Sequence, residues 1–129
     1  MNKIKLTEAE WRIMTALWKE KMTITQLTAY FKDDTGWSKN VIINFLKKMK
    51  AKNAVDYIQE PNVKVFYPLI THEEASLTEA QSFLDKIFKG SIGMLVNSLV
   101  DNNALSDDDI SELKEIINRA ENKKSGKDS

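Results

Sequence analysis

The sequence predicts a mainly α-helical chain carrying one small β-hairpin. Three observations predict it. Apolar residues recur at helical spacing through most of the 129 residues, strict alternation is confined to the stretch from Val55 to Tyr67, and two Thr-x-x-Glu capping boxes, Thr7 with Glu10 and Thr71 with Glu74, mark helix starts. At this length roughly two-thirds of the unfolded surface can be buried, so one modest core is expected.

The elements follow in order. After Thr7, the residues Ile13, Met14, Leu17 and Trp18 define a first helix to about Lys21. Thr23 and Ile24 are β-branched and predict a very short strand, after which Thr25 is the expected cap of a second helix with Leu27, Tyr30 and Phe31 on its apolar face. Asp33, Asp34 and Gly36 form a turn cluster that ends it. Ser38 then caps a third helix, Lys39 to about Lys52. Val41, Ile42, Phe45, Leu46 and Met49 fall along one side of that helix, and Asn40, Ile43, Asn44, Lys47 and Lys48 along the other.

From Val55 the period changes to two. Val55, Tyr57 and Gln59 alternate, Glu60-Pro61-Asn62 turns the chain, and Val63, Val65 and Tyr67 alternate again before Pro68, which predicts a hairpin. Thr71 opens a further helix with the stripe Leu77, Ala80, Phe83, Leu84, Ile87 and Phe88. Gly90 and Gly93 bracket a break. Ile92, Leu95, Val96 and Leu99 mark the next helix, and Ser106 starts the last, with Ile110, Leu113, Ile116 and Ile117. The organisation expected is an N-terminal unit over 1–70, a helical region over 71–122 and a disordered tail over 123–129, where apolar residues are lacking.

Two helices, a turn, a third helix and a hairpin is the order of a winged helix-turn-helix, in which the third helix enters the DNA major groove and the hairpin flanks it. Charge supports this reading. The net charge of zero conceals +4 over residues 36–70, from six lysines against Asp56 and Glu60, and −7 over residues 71–121, from eleven carboxylates against four basic groups. The third helix offers amides suited to base edges, lysines suited to phosphates and an exposed Ile43 suited to a thymine methyl. The candidate DNA-binding residues are therefore Ser38, Lys39, Asn40, Val41, Ile43, Asn44, Lys47 and Lys48, with Lys64 reaching a flanking phosphate from the hairpin. One subunit makes few base contacts, and short helices are marginal unless their stripes are buried, so a homodimer on duplex DNA is expected. Its interface residues would be Phe83, Leu84, Ile87, Phe88, Leu95, Val96, Leu99, Ile110, Leu113, Ile116 and Ile117.

Other chemistry is poorly supported. There is no cysteine, and the single His72 cannot form a metal cluster, so no metal or cofactor is implied. Asp101, Asn103, Asp107, Asp109 and Glu112 match EF-hand spacing, but Leu105 and Ser106 occupy positions that need a ligand and a glycine. Asp107, Asp108 and Asp109 are read instead as stabilising a helix N-terminus. No phosphate loop, nucleophile elbow or H-E-x-x-H run is present, so no enzyme is expected. Trp11 and Trp18 are assigned to core packing and Trp37 to the entrance of the third helix. No apolar run reaches the roughly twenty residues of a membrane span, and the N-terminus lacks a secretory signal, which predicts a soluble cytoplasmic protein. The alternative from another class is a winged-helix protein-interaction adaptor that does not bind DNA.

The stretches LTEAEWRIMTALW, WSKNVIINFLKKMKAKNAV, VFYPLI, SFLDKIFKGSIGMLVNSLV and LSDDDISELKEIIN resemble the penicillinase and methicillin-resistance repressor family, which also includes copper-responsive repressors. The resemblance runs from Leu6 to Asn118. It implies a homodimer that holds a palindromic operator with its winged helix, interlocks through its C-terminal helices and represses transcription until induced. It places the DNA contacts on Lys39, Asn40, Val41, Ile43 and Asn44, followed by Lys47 and Lys48. Val41 stands where the family usually has threonine, Ile43 where its β-lactam-responsive members have arginine, and Lys48 where an arginine is common, so the operator sequence does not transfer. The Asn-Phe protease site of the β-lactam-responsive members corresponds to Ser98-Leu99, and the cysteines of the copper-responsive members have no counterpart. An inducing protease or sensor of another kind is the partner this leaves open.

Overall fold

A computed structural model describes residues 4–127. The element order is α1 (Glu8–Lys19), β1 (Met22–Thr23), α2 (Ile24–Tyr30), α3 (Lys39–Ala51), β2 (Val55–Gln59), β3 (Lys64–Pro68), α4 (His72–Phe88), α5 (Ile92–Asp101) and α6 (Asp107–Asn122). The protein is mainly helical, with an antiparallel hairpin and the helix order of a winged helix-turn-helix. Contacts divide it into two units, Met1–Ser82 and Phe83–Ser129.

The first unit is closed by a sheet larger than the hairpin alone. β2 and β3 pair from Val55↔Pro68 to Gln59↔Lys64, and β1 adds to the other side of β3 through Met22↔Phe66 and Thr23↔Val65. The expected strand at Thr23 and Ile24 therefore lies one residue earlier. The cap of α2 moves two residues, from Thr25 to Thr23. Thr23 accepts from the backbone N–H of Gln26, whose side chain accepts from the Thr23 N–H. Glutamine at the third helical position completes a capping box that Thr25 cannot form, because the box needs Glu or Gln three residues after the cap.

Ile13, Met14, Leu17, Leu27, Ile42, Leu46, Met49 and Val55 are the largest fully buried side chains, so α1, α2 and α3 converge on one core. Tyr30, expected inside, is 44% exposed. It follows the last apolar turn of α2, and its hydroxyl accepts a hydrogen bond from Lys19 Nζ at 3.1 Å. Trp11 and Trp18 pack edge-on against each other at 5.5 Å and against His72 at 6.0 and 5.0 Å. Trp18 Nε1 also donates to the carbonyl of Ile70, which ties the start of α4 to α1.

One buried acid joins the ends of two helices. Glu10 is 2% exposed. Its Oε1 accepts from the Thr7 N–H at 2.9 Å, as the capping box requires, and from Lys52 Nζ at 2.8 Å. Lys52 Nζ also donates to the carbonyl of Lys5 at 2.9 Å. Lys52 is the C-cap of α3, and the chain beyond it closes as a Schellman motif: Asn53 has φ 65, its N–H reaches Lys50 O, and the Ala54 N–H reaches Met49 O. Val55 begins β2 at once.

The second unit, taken by itself, is built from the end of α4, α5 and α6. Its helices start and stop on local signals. Lys89 and Gly90 have φ 53 and 81 where α4 ends, and Ser91 accepts from the Met94 N–H to cap α5. Asn103, at φ 55, closes α5 in a second Schellman motif, with the Ala104 N–H donating to Leu99 O. Ser106 and Asp109 form a capping box at α6. Of the tail expected to be disordered, residues 128 and 129 lie outside the described residues, and Lys123–Lys127 follow α6 with a kink at Gly126, whose φ is 82. Among the described residues no helix is long and apolar enough to cross a membrane.

Replacing Lys52 by methionine leaves the Glu10 carboxylate buried and unpaired, so the folded state is expected to lose about 3 kcal/mol. Urea unfolding followed by circular dichroism measures this. A midpoint unchanged from the parent protein would show that the pair contributes nothing.

Candidate functional site

α3 has two unlike faces because its sequence separates them. Ile42, Leu46 and Met49 are buried at 0, 2 and 0% exposure, whereas Lys39, Asn40, Asn44, Lys47, Lys48 and Lys50 are exposed. The helix is held at its start. Ser38 accepts from the Val41 N–H at 3.3 Å, and the Trp37 ring lies between Phe31 at 5.0 Å and Phe45 at 5.1 Å. Trp37 thus occupies the entrance expected of it.

Ile43, expected to be exposed, is half-buried. The sheet explains the difference. Pairing β1 with β3 brings the start of α2 and the base of the hairpin beside α3, and Ile43 meets them there. Two clefts result. One, of about 230 Å³, is lined by Ile24, Ile43, Leu46, Lys47, Lys50, Tyr57, Lys64 and Phe66. The other, of about 400 Å³, is lined by Thr23, Ile24, Thr25, Lys39, Gln59, Asn62, Val63 and Lys64. Lys64 borders both and connects hairpin to helix.

The electrostatics of this surface are one-sided. Among the described residues, ion pairs involve Arg12 with Asp34, Lys50 with Asp56 and Lys52 with Glu10. Lys39, Lys47, Lys48 and Lys64 have no acidic partner there. Lys64 Nζ instead lies 4.7 Å from the centroid of the Tyr57 ring, and Lys50 Nζ lies 5.6 Å from the same centroid, a cation–π arrangement on both counts.

Of the residues selected from sequence, the structure brings Ile43, Lys47 and Lys64 together at the smaller cleft, and Lys39 and Lys64 at the larger. Ser38, Asn40, Val41, Asn44 and Lys48 line neither cleft, and Val41 is half-buried. Sequence reasoning missed Ile24, Lys50 and Tyr57. Lys50 was within reach, since it lies three residues from Lys47 on the same helix face. Ile24 and Tyr57 depend on strand pairing and left no local signal.

In the second unit, no side chain among residues 83–126 is buried. Phe83, Ile87, Ile116 and Ile117 are 49, 53, 42 and 56% exposed, and Ile110 is 39% exposed. Leu84, Phe88, Leu95, Val96, Leu99 and Leu113 are half-buried. Ile92, Met94 and Val100 add further exposed apolar surface. Of the residues at EF-hand spacing, Asp101 ends α5 and Asn103 closes it at positive φ, and Asp107 and Asp109 stand with Asp108 in the first turn of α6.

The model of the penicillinase repressor family matches residues 6–119. The chain is similar to the penicillinase repressor of Bacillus licheniformis, at 27% identity over 126 residues, covering 96% of this chain and 98% of that protein. It is similar to the methicillin resistance regulatory protein MecI of Staphylococcus aureus (strain N315), at 24% identity over 116 residues, covering 89% and 94%. In structure it resembles the DNA binding domain of the repressor BlaI, with a TM-score of 0.52 at 22% identity, over 57% of this chain and 90% of that one.

Because Trp37 fills the space between two rings, Trp37→Ala is expected to destabilise the first unit by about 2 kcal/mol and to loosen the start of α3. Amide exchange measures the second effect: Val41 and Ile42 should exchange faster than in the parent, and equal protection would remove Trp37 from the role of positioning the helix.

Proposed function

The chain belongs to the penicillinase repressor family of winged-helix DNA-binding transcriptional repressors, and from that premise we propose that it acts as a homodimer on a palindromic operator. It is a regulator and not an enzyme. The observation that carries the proposal is the exposed face of α3, where Lys39, Lys47 and Lys48 have no acidic partner among the described residues and stand beside Asn40 and Asn44. Lysines kept free of carboxylates remain available to phosphates, and the amides between them suit base edges.

In this reading Ser38, Lys39, Asn40, Val41, Ile43, Asn44, Lys47 and Lys48 face the major groove, and Lys64 reaches a phosphate from the hairpin. Residues 1–70 carry the reader and 71–122 the dimerisation helices. The first turns of α4 also serve the reader, since Ala75 belongs to its core. The exposed apolar side chains from Phe83 to Ile117 support a second copy as the surface that covers them, because such helices gain little stability from propensity alone. The protein works in the cytoplasm, where the operator is.

Induction by an unidentified protease or sensor completes the reading. The Ser98-Leu99 bond lies inside α5, and the Ser98 carbonyl accepts from Asn102 Nδ2 at 2.8 Å. A protease needs extended backbone, so cleavage there requires α5 to unwind first.

Selection of bound duplexes from a random library at two salt concentrations tests the proposal. One palindromic motif is expected; salt-sensitive recovery without a motif would reduce the site to a basic surface, and no recovery would favour a protein-docking adaptor. With four unpaired lysines in each of two subunits, log K should fall with log salt at a slope of about −7. Asn40→Ala or Asn44→Ala should each weaken the selected duplex by about 1 to 3 kcal/mol with folding intact. Leu99→Asp should abolish the dimer in sedimentation, and a stable dimer would contradict the proposed interface.

A further inference from the structure

The smaller cleft has a floor and a rim of opposite character. Ile24, Ile43, Leu46 and Phe66 make an apolar floor. Lys47, Lys50 and Lys64 also line it, three cationic side chains at one cleft, and Tyr57 supplies an aromatic wall. Lys50 and Lys64 both approach that one ring, at 5.6 and 4.7 Å. Like charges gathered in this way repel one another. Among the described residues the only carboxylate that relieves them is Asp56, 3.7 Å from Lys50.

Each simple occupant satisfies half of the site. A DNA phosphate neutralises the lysines but brings no apolar surface to the floor. A neutral hydrocarbon covers the floor but leaves the charge unanswered. An aromatic carboxylate does both, with its ring against Ile24, Ile43 and Tyr57 and its anion at Lys47 and Lys64. Size narrows the choice: drug-sized ligands fill pockets of about 300 to 1,000 Å³, and a cleft of about 230 Å³ holds one or two fused rings.

We propose that the groove between α3 and the hairpin binds a small aromatic carboxylate, which competes with DNA for Ile43, Lys47 and Lys64. Binding itself follows from the groove alone. The competition rests on the DNA-binding reading, because the same lysines cannot serve a phosphate and the carboxylate together. The bound acid would release the operator without proteolysis.

The experiment is an amide-resolved NMR titration of the full-length protein with naphthoate, with naphthalenemethanol as the neutral isostere and inorganic phosphate as the bare anion. Naphthoate is expected to shift the amides of Ile24, Ile43, Tyr57, Lys64 and Phe66 and to bind about tenfold more tightly than either control. Ile24→Ala should weaken naphthoate, and Lys64→Gln should remove its advantage over the alcohol. Equal binding of the alcohol or of phosphate, shifts confined to other regions, or no shifts would overturn the proposal. In a second arm, naphthoate should displace the duplex recovered by selection, and a duplex retained at saturating naphthoate would overturn the competition. Groove shifts in a protein that selects no duplex would sink the DNA reading and leave the site standing, whereas a bound operator with no groove shifts would do the reverse.

Discussion

A single carboxylate oxygen decides where α3 stands. Glu10 Oε1 accepts from the first N–H of the α1 cap and from the lysine that caps α3, so the beginning of one helix and the end of the other meet at one atom. Burying a charge is costly unless it is paired and hydrogen-bonded, and here both conditions hold. Lys52 in turn gives way to the Asn53 turn, and the turn gives way to β2 with no loop between. The hairpin is therefore aimed by the same group that fixes the helix. Any displacement of α3 along its axis would have to break this junction before it disturbed the outer face.

Most of the first unit could be read from residues because its boundaries are chemical. Thr7 with Glu10, Ser38, and Thr71 with Glu74 each act through a side chain on a nearby N–H, and each does so in the structure. The errors arose in two ways, one from a local signal passed over and one from a longer-range partner. Thr23 and Thr25 look alike as caps, and the choice between them depends on Gln26 and on the pairing of Met22 with Phe66. Ile43 looked exposed by helical phase, yet it is half-buried because a strand not foreseen as a sheet member brings α2 against it. The two asparagine closures, at Asn53 and Asn103, carried a local signal in a residue type that tolerates positive φ, but only the observed geometry distinguishes a cap from an ordinary polar turn.

The candidate site divides along the same line. Lys39, Asn40, Asn44, Lys47 and Lys48 were legible because an amphipathic period alone separates them from Ile42, Leu46 and Met49. Tyr57, Ile24 and the convergence of Lys50 with Lys64 were not, since each belongs to a different element and only the three-stranded sheet makes them neighbours. The second unit poses the opposite problem. Its helices are fully specified by caps and closures, yet no side chain among residues 83–126 is buried. Local chemistry sets where these helices begin and end, and the apolar stripes between those ends stay largely uncovered within the chain.

The separation of the two faces of α3 bears on how such a protein diverges. Asn40, Asn44, Lys47 and Lys48 are exposed on a helix whose hold on the core is made chiefly by other residues, among them Trp37, Ile42, Phe45, Leu46, Met49 and Lys52. Changes at the four outer positions therefore cost the core little, so on the proposed DNA-reading role drift there would retarget the regulator without an intervening unstable form. Val41 and Ile43 are half-buried and lack that freedom, and a change at Ile43 must also fit the cleft it lines with Ile24 and Phe66. A lineage acquiring new promoters would be expected to rewrite the outer strip readily and to alter these two positions only together with their neighbours.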